Sequence, residues 1–307
     1  MITIKIQGGL GNQLFQYTYA RALSLRYGMP FEMDVTNYDH ANLPEDHPDR
    51  RFKRGYGLGQ FNTIEKFSDA KTIAHFQKYK LHRRKIWWLY DTLIADESRY
   101  IEERQSQFSE DYAHPKRLAA GGSVYAEGYW LTEKYFAEYA DTIRKELSFK
   151  HPAEGISSEL IARMASSNSV SLHVRRGNFV IQQYNNVHGV CSLDYFEKAV
   201  AEIVKRVENP EFFIFSDDHE WVRDNLKLEY PTTFVTHNGP DKDYDDLRLM
   251  AACKHHINAN STFSWWGAWL SNDPDKVVVV PDKLMKKKFN SSDYTPADWI
   301  QIPTELV

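Results

Sequence analysis

The sequence predicts an α/β protein of two domains, each built on a doubly wound parallel sheet with helical crossovers. Three observations carry this prediction. The chain opens as strand, glycine turn, helix and strand, and strands then alternate regularly with helices from residue 170 onward. Its 307 residues are about twice the ~150 of a common domain. A charged, Pro-containing stretch, Lys150-His-Pro-Ala-Glu154, separates the two patterns, so the domains are set at residues 1–150 and 151–290. A tail, residues 291–307, remains, and the sequence does not decide whether it packs back on the first domain.

In chain order, Ile2 to Ile6 alternates in polarity and ends at Gly8-Gly9. Leu14, Phe15, Thr18, Ala22 and Leu25 then recur at helical spacing, which predicts a helix over Asn12 to Tyr27. Phe31 to Val35 completes a β-α-β unit, expected to be parallel and right-handed. Residues 36–60 lose periodicity and read as a long surface loop, a class of segment that is often functional. Residues 61–120 read as polar and helical. Val124 to Ala126 reads as a strand and Thr132 to Leu147 as a helix. In the second domain the expected strands are Val170 to Val174, Phe212 to Phe215, Thr233 to Thr236, His255 to Ala259 and Val277 to Val280. The expected helices are Leu193 to Val207, Glu220 to Leu226, Tyr244 to Cys253 and Thr262 to Ser271.

Apolar residues make up 42% of the chain and charged residues 26%, with a net charge of −4. That balance fits a globular enzyme and argues against a disordered chain or a nucleic-acid-binding one. Aromatic residues reach 14%, including 8 Trp and 18 Tyr. Such rings suit sugar faces, although core packing is their commoner use. The two cysteines, Cys191 and Cys253, imply no disulfide framework and are expected as packed thiols in a reducing compartment. The opening is too short and too alternating for a signal peptide. No apolar run approaches the ~18 residues of a membrane span, so a cytoplasmic location is expected.

Four constellations carry chemistry. Gly8-Gly-Leu-Gly-Asn-Gln13 lies between a strand and a helix, where Gly9 and Gly11 let backbone approach a ligand and the helix start favours an anion. With Asp34 after the next strand it resembles a dinucleotide fingerprint, but Leu14 stands at the third glycine position, which weakens a nicotinamide reading. Ser171-Leu-His-Val-Arg-Arg-Gly177 sets Arg175 and Arg176 at a strand end, where guanidiniums suit a pyrophosphate. One arginine is expected on the ligand and the other on a carboxylate. Phe215-Ser-Asp-Asp218 offers a carboxylate for the N1–H and amine of guanine, or a cap for the next helix. Asn260-Ser-Thr-Phe-Ser-Trp-Trp-Gly-Ala-Trp269 presents a cap-rich helix start from Asn260, Ser261, Thr262 and Phe263 toward phosphate, with its tryptophans read as core.

The segments GGLGNQLFQY at 8–17, EGYW at 127–130, HVRRG at 173–177, FSDD at 215–218 and KHHINANSTFSWWGAWL at 254–270 resemble glycosyltransferase family eleven, the α-1,2-fucosyltransferases. The resemblance runs in order from the first strand to about Pro281. It implies two facing Rossmann-like domains of the GT-B type, GDP-fucose as donor and a galactoside 2-hydroxyl as acceptor. It also implies inversion at the anomeric carbon, no catalytic metal and no cofactor. The donor would belong to the second domain and the acceptor mostly to the first. Donor contacts are placed at Gly9, Gly11, Asn12, Gln13, His173, Arg175, Arg176, Asp217, Asp218, Asn260, Ser261, Thr262 and Phe263. Where the family motif continues with Asp-Tyr, this chain has Asn178-Phe179, which removes a charge beside the arginines.

For chemistry, Arg175 is assigned to the leaving diphosphate. His188, in a polar loop and with an ordinary pKa near neutrality, is the first candidate base, with Glu127 and Asp34 as alternatives. Asp241-Lys-Asp243 has the acid-x-acid spacing of metal-dependent transferases, but with Asp245 and Asp246 it precedes a helix and is read as capping. His255-His256 lacks ligand partners at metal spacing and is read as structural. Two competing classes are a nucleotide-sugar-binding protein without turnover and a nicotinamide-dependent oxidoreductase. Finally, Lys78, Lys80, Arg83, Arg84 and Lys85 precede Trp87 and Trp88, a pattern read either as a solvated face or as peripheral contact with an anionic inner membrane.

Overall fold

The computed structural model describes residues 1–85, 99–103, 107–286 and 293–307, in two compact units, Met1–Lys150 and His151–Val307. The first holds a parallel sheet in the order β2-β1-β4-β3, formed by β1 (Ile2–Lys5), β2 (Phe31–Asp34), β3 (Tyr100–Glu102) and β4 (Val124–Glu127). Helix α1 (Leu10–Tyr27) packs on β1 and stops at Gly28, whose φ of 61° is the left-handed conformation that ends a helix without steric cost. Ile2, Thr3 and Ile4 of β1 are all fully buried, as expected for a parallel strand covered on both faces.

Two expectations for this unit need correction. The stretch read as helical over 61–120 contains helix α2 (Ala70–Lys85) but also the edge strand β3, whose three residues are too few to display a period. The helix expected over Thr132 to Leu147 is interrupted. Two 3-10 turns, Glu133–Tyr135 and Ala137–Tyr139, precede a short α3 (Ala140–Glu146), with Phe136 between them at φ −133°. Successive tight turns place apolar residues at nearly the spacing of an α-helix, so the pattern alone does not separate them.

The second unit opens with a helix absent from the sequence reading, α4 (Gly155–Ser166). Its parallel sheet has the order β10-β9-β8-β5-β6-β7. The strands are β5 (Asn168–Val174), β6 (Pro210–Ser216), β7 (Thr232–Phe234), β8 (His255–Ile257), β9 (Val278–Pro281) and β10 (Ile300–Ile302). Between them run α5 (Leu193–Val204), α6 (His219–Asn225), α7 (Asp243–Ala252) and α8 (Thr262–Leu270). The period of two divides the core. Val170, Leu172, Val174, Phe212 and Ile214 join one cluster with α5 and α6. Phe213 and Phe215 join the other with α4 and α7.

The tail belongs to the second unit. Its strand β10 pairs with β9, Val307 exchanges backbone bonds with Val190 at 2.9 and 3.0 Å, and Trp299 lies 5.4 Å from Trp265. An otherwise unpaired edge of β9 and a tryptophan surface receive it.

Candidate functional site

In the second sheet the chain runs β5, β6, β7 outward and then returns to place β8 on the other side of β5. The order reverses between β5 and β8, and an open α/β sheet receives its ligand at the carboxyl ends of such a pair. The loop after β5 carries Arg175 to Gly177, and the segment after β8 carries Asn258 to Ser261. Crossover helices start at this same rim, so the first turns of α6, α7 and α8 face it as well.

Both arginines are held by acids. Arg175 pairs with Asp217 through Nη1, and Arg176 donates through Nε to Asp218 at 3.1 Å while its guanidinium covers Trp221 at 3.7 Å. Asp217 also accepts from the backbone of Arg176 and Gly177 at 2.8 and 3.0 Å. Asp218 caps α6 by accepting from Trp221 at 3.2 Å. All four carboxylate oxygens are engaged: both arginines meet a carboxylate, and Asp218 takes the helix-capping role that the sequence offered as its alternative. A side chain at Gly177 would put Cβ 2.2 Å from Asp217, so glycine there is a matter of space.

His173 is buried on the α4 and α7 side, 5.8 Å from the Phe263 ring. Burial, opposed by Asp217 and reinforced by Arg175, pulls its pKa down to about 4, so it is neutral at neutral pH, and among the described residues its Nδ1 has no hydrogen-bond partner. Asn260 is a brace. It is 2% exposed, its amide donates to the carbonyls of His188, Gly189 and Leu284 at 3.1 to 3.3 Å, and its oxygen accepts from Cys191. Ser261 caps α8 by accepting from Phe263 at 3.3 Å, leaving Thr262 and Phe263 in the first turn. His188 stacks on Phe179 at 4.6 Å and 2°, and Arg175 covers the same ring at 5.1 Å. Phe179 therefore joins the candidate base to the arginine. The sequence marked it only as a departure from the family motif. The side chain of Asn178 lies outside the described residues.

Asp243, Asp245 and Asp246 lie in the first turn of α7. Burial pushes the carboxyls of Asp243 and Asp246 up to about 6, each reinforced by neighbouring aspartates and opposed by one hydrogen bond, from the Tyr244 backbone and the Asn238 side chain respectively. Asn238 donates to Asp246 at 2.8 Å, and Asp245 pairs with Arg248 at 3.4 Å. A carboxylate kept at the rim at such a cost is a ligand candidate. Its signal in the sequence, a run of aspartates, is indistinguishable from ordinary helix capping. Among the described residues no group of three or more His, Cys, Asp or Glu side chains is arranged to hold a metal ion. His256 is fully buried and bonds Ser171 at 2.8 Å, and the tryptophans of α8 are core.

The remaining candidates lie in the first unit. Gly9 caps α1, and Gly11 and Asn12 form its first turn. Gln13 is 1% exposed and fully used, donating to Gly8 and Gly55 at 3.1 and 2.8 Å and accepting from Gly57 at 2.8 Å. It therefore staples the 55–57 loop instead of presenting its amide outward. Glu127 pairs with Lys5 at 3.1 Å and accepts from Lys80 and Tyr100. Burial raises its pKa, but these partners more than offset it and hold it at about 2, far too low for an effective base. Asp34 is buried and bonded to Tyr125 at 2.5 Å and to Thr36. In the basic segment Lys80 is tied to Glu127. Trp87, Trp88 and the side chains of Arg83, Arg84 and Lys85 lie outside the described residues. Among the described residues no helix is long and apolar enough to cross a membrane.

The sequence profile described as Glycosyl transferase family 11 matches residues 1–303. The chain belongs to that family. An α-1,2-colitosyltransferase of Escherichia coli is 28% identical over 98% of this chain and 99% of its own length. The O-antigen biosynthesis glycosyltransferase WbnK of Escherichia coli is 29% identical over 97% and 99%. An Arabidopsis thaliana FUT1 mutant solved in complex with GDP shares the fold at a TM-score of 0.52 and 11% identity, covering 90% of this chain and 69% of that one. The two parallel-sheet units are thus those of a family 11 glycosyltransferase of GT-B type.

Proposed function

We propose that this family 11 enzyme transfers L-fucose from GDP-fucose to the 2-hydroxyl of a galactoside, with inversion and without metal. The observation that carries the reading is the arginine pair held over the reversal point of the second sheet, beside the Ser261-capped start of α8. A departing diphosphate needs fixed positive charge. Arg175, 28% exposed, can exchange Asp217 for phosphate oxygens without moving the backbone. Asp246 would accept the N1–H and amine of guanine, and His173 Nδ1 offers a further hydrogen bond near the end of β5. The acceptor proton has His188 as its recipient, oriented by the Phe179 ring, because Glu127 is too weakly basic. Inversion requires only one displacement, so no enzyme nucleophile is called for.

One observation favours a second donor. The relative named an α-1,2-colitosyltransferase matches nearly the whole chain, and colitose differs from L-fucose by the missing 3-hydroxyl. The deciding experiment offers GDP-fucose and GDP-colitose separately with a panel of β-galactosides and determines the product linkage by NMR. An α-1,2-fucoside is expected. Transfer from GDP-colitose alone would replace the donor, and binding of GDP without any turnover would reduce the protein to a nucleotide-sugar-binding module.

A further inference from the structure

The first unit has a carboxyl rim of its own. In the order β2-β1-β4-β3 the central strands β1 and β4 run parallel, and an open α/β sheet receives ligands outside the carboxyl ends of its strands. The loops leaving these two strands are tied together. Gln16, fully buried, accepts from the Gln7 amide at 2.9 Å and donates to the Gly128 carbonyl at 3.0 Å. Immediately beyond, Trp130 adopts φ 57°, a left-handed conformation that bulky residues rarely take. The Glu103 carboxylate holds it there by accepting from the amides of Tyr129 and Trp130 at 2.6 and 3.0 Å.

The held turn sends two neighbouring rings in opposite directions. Trp130 is fully buried, stacked on Tyr19 at 3.9 Å and 7°. Tyr129 is turned outward and is 42% exposed. Asp49, 3% exposed, accepts from Gly8 and Asn37 at 3.2 and 3.1 Å and pairs with Arg54 at 3.0 Å. Tyr38 donates to the Gly8 carbonyl at 2.9 Å. The turn gains packing from Trp130 but none from the neighbouring ring that it holds out into solvent just beyond a strand end, and strain of this kind collects where ligands bind.

We propose that the Tyr129 ring is the stacking platform for the acceptor sugar, receiving the C–H face of a β-galactoside pyranose while Arg54 meets its hydroxyls. This rests on the acceptor reading above. The electron-rich face of the ring attracts the polarised C–H groups of the sugar. Because the diphosphate contacts belong to the second unit, the platform should affect the acceptor alone.

Tyr129→Ala, Tyr129→Phe and Tyr129→Trp are compared for acceptor KM and for GDP affinity by titration calorimetry. Tyr129→Ala is expected to raise acceptor KM about tenfold, with the Phe and Trp variants near wild type and GDP affinity unchanged in all three. An unchanged KM in Tyr129→Ala, or a parallel fall in GDP affinity, overturns the proposal. Acceptor-free hydrolysis of GDP-fucose by the wild type reads the donor assignment separately. If that reaction is absent, saturation-transfer NMR with methyl β-galactoside tests the same ring. Signal in the wild type that is lost in Tyr129→Ala supports the platform, and equal signal in both, or none in the wild type, overturns it.

Discussion

Arg175 pairs with Asp217, and under the proposed function it exchanges that carboxylate for the diphosphate of the donor. A charge-assisted contact to phosphate is worth ~1.5–3 kcal/mol, so Arg175→Ala should weaken GDP binding by roughly 10- to 150-fold, measured by calorimetry on a variant with unchanged circular dichroism. Unchanged affinity would remove Arg175 from the donor site. The second residue-scale prediction concerns Asp246. Its folded pKa of about 6 lies above the ordinary value of 3.8, so the folded protein holds a proton that the unfolded chain has lost, and stability declines as pH rises through that window. Guanine needs the ionised carboxylate, so GDP affinity should rise with pH up to about 6 and level off above it. Asp246→Asn should abolish that rise and lower the plateau, whereas Asp243→Asn should keep the rise with its midpoint displaced to lower pH. The sequence displayed the arginines because adjacent guanidiniums at a strand end are conspicuous. It did not single out Asp246, because an aspartate in a helix's first turn and one that would read a base are the same letter in the same place.

At the scale of elements, α7 and α8 pack through Gly267, where a Cβ would stand 2.8 Å from the Met250 Cβ. Alanine favours a helix over glycine by ~1 kcal/mol, but overpacking a tight contact costs ~1–3 kcal/mol. Gly267→Ala should therefore be destabilising by about 1 kcal/mol in urea unfolding, with an unchanged m value, and a stabilised variant would show that the two helices have room to separate. Helix α8 was legible from its Ser261 cap and its alternation of aromatic and small residues. The segment Thr132 to Leu147 was not, because 3-10 turns mimic α spacing, and β3 was not, because three residues define no period. The helix start at Gly9 was visible, but the stapling role of Gln13 depends on Gly55 and Gly57, more than 40 residues away.

For the whole molecule, the proposed chemistry draws its positive charge from Arg175, Arg176 and the first turn of α8. Transfer should therefore continue in excess EDTA at an unchanged rate. Loss of activity that Mn²⁺ or Mg²⁺ restores would make the α7 aspartates ligands instead. Each unit carries a parallel sheet of its own, with the arginine loop beyond β5 in the second and Tyr129 just beyond β4 in the first.

The sequence by itself determined the α/β class, the break near residue 150, most strands of the second sheet and the identity of the arginine motif. These are local matters of periodicity, turn chemistry and residue type. Strand order was decided only by the tertiary structure, and with it which loops share a rim, because parallel neighbours such as β5 and β8 stand more than 80 residues apart. The same holds for the tail, whose three-residue strand acquires its meaning from the exposed edge of β9. It holds also for the protonation of Glu127, Asp246 and His173, since desolvation and partner charges are properties of the folded surroundings rather than of the residues themselves.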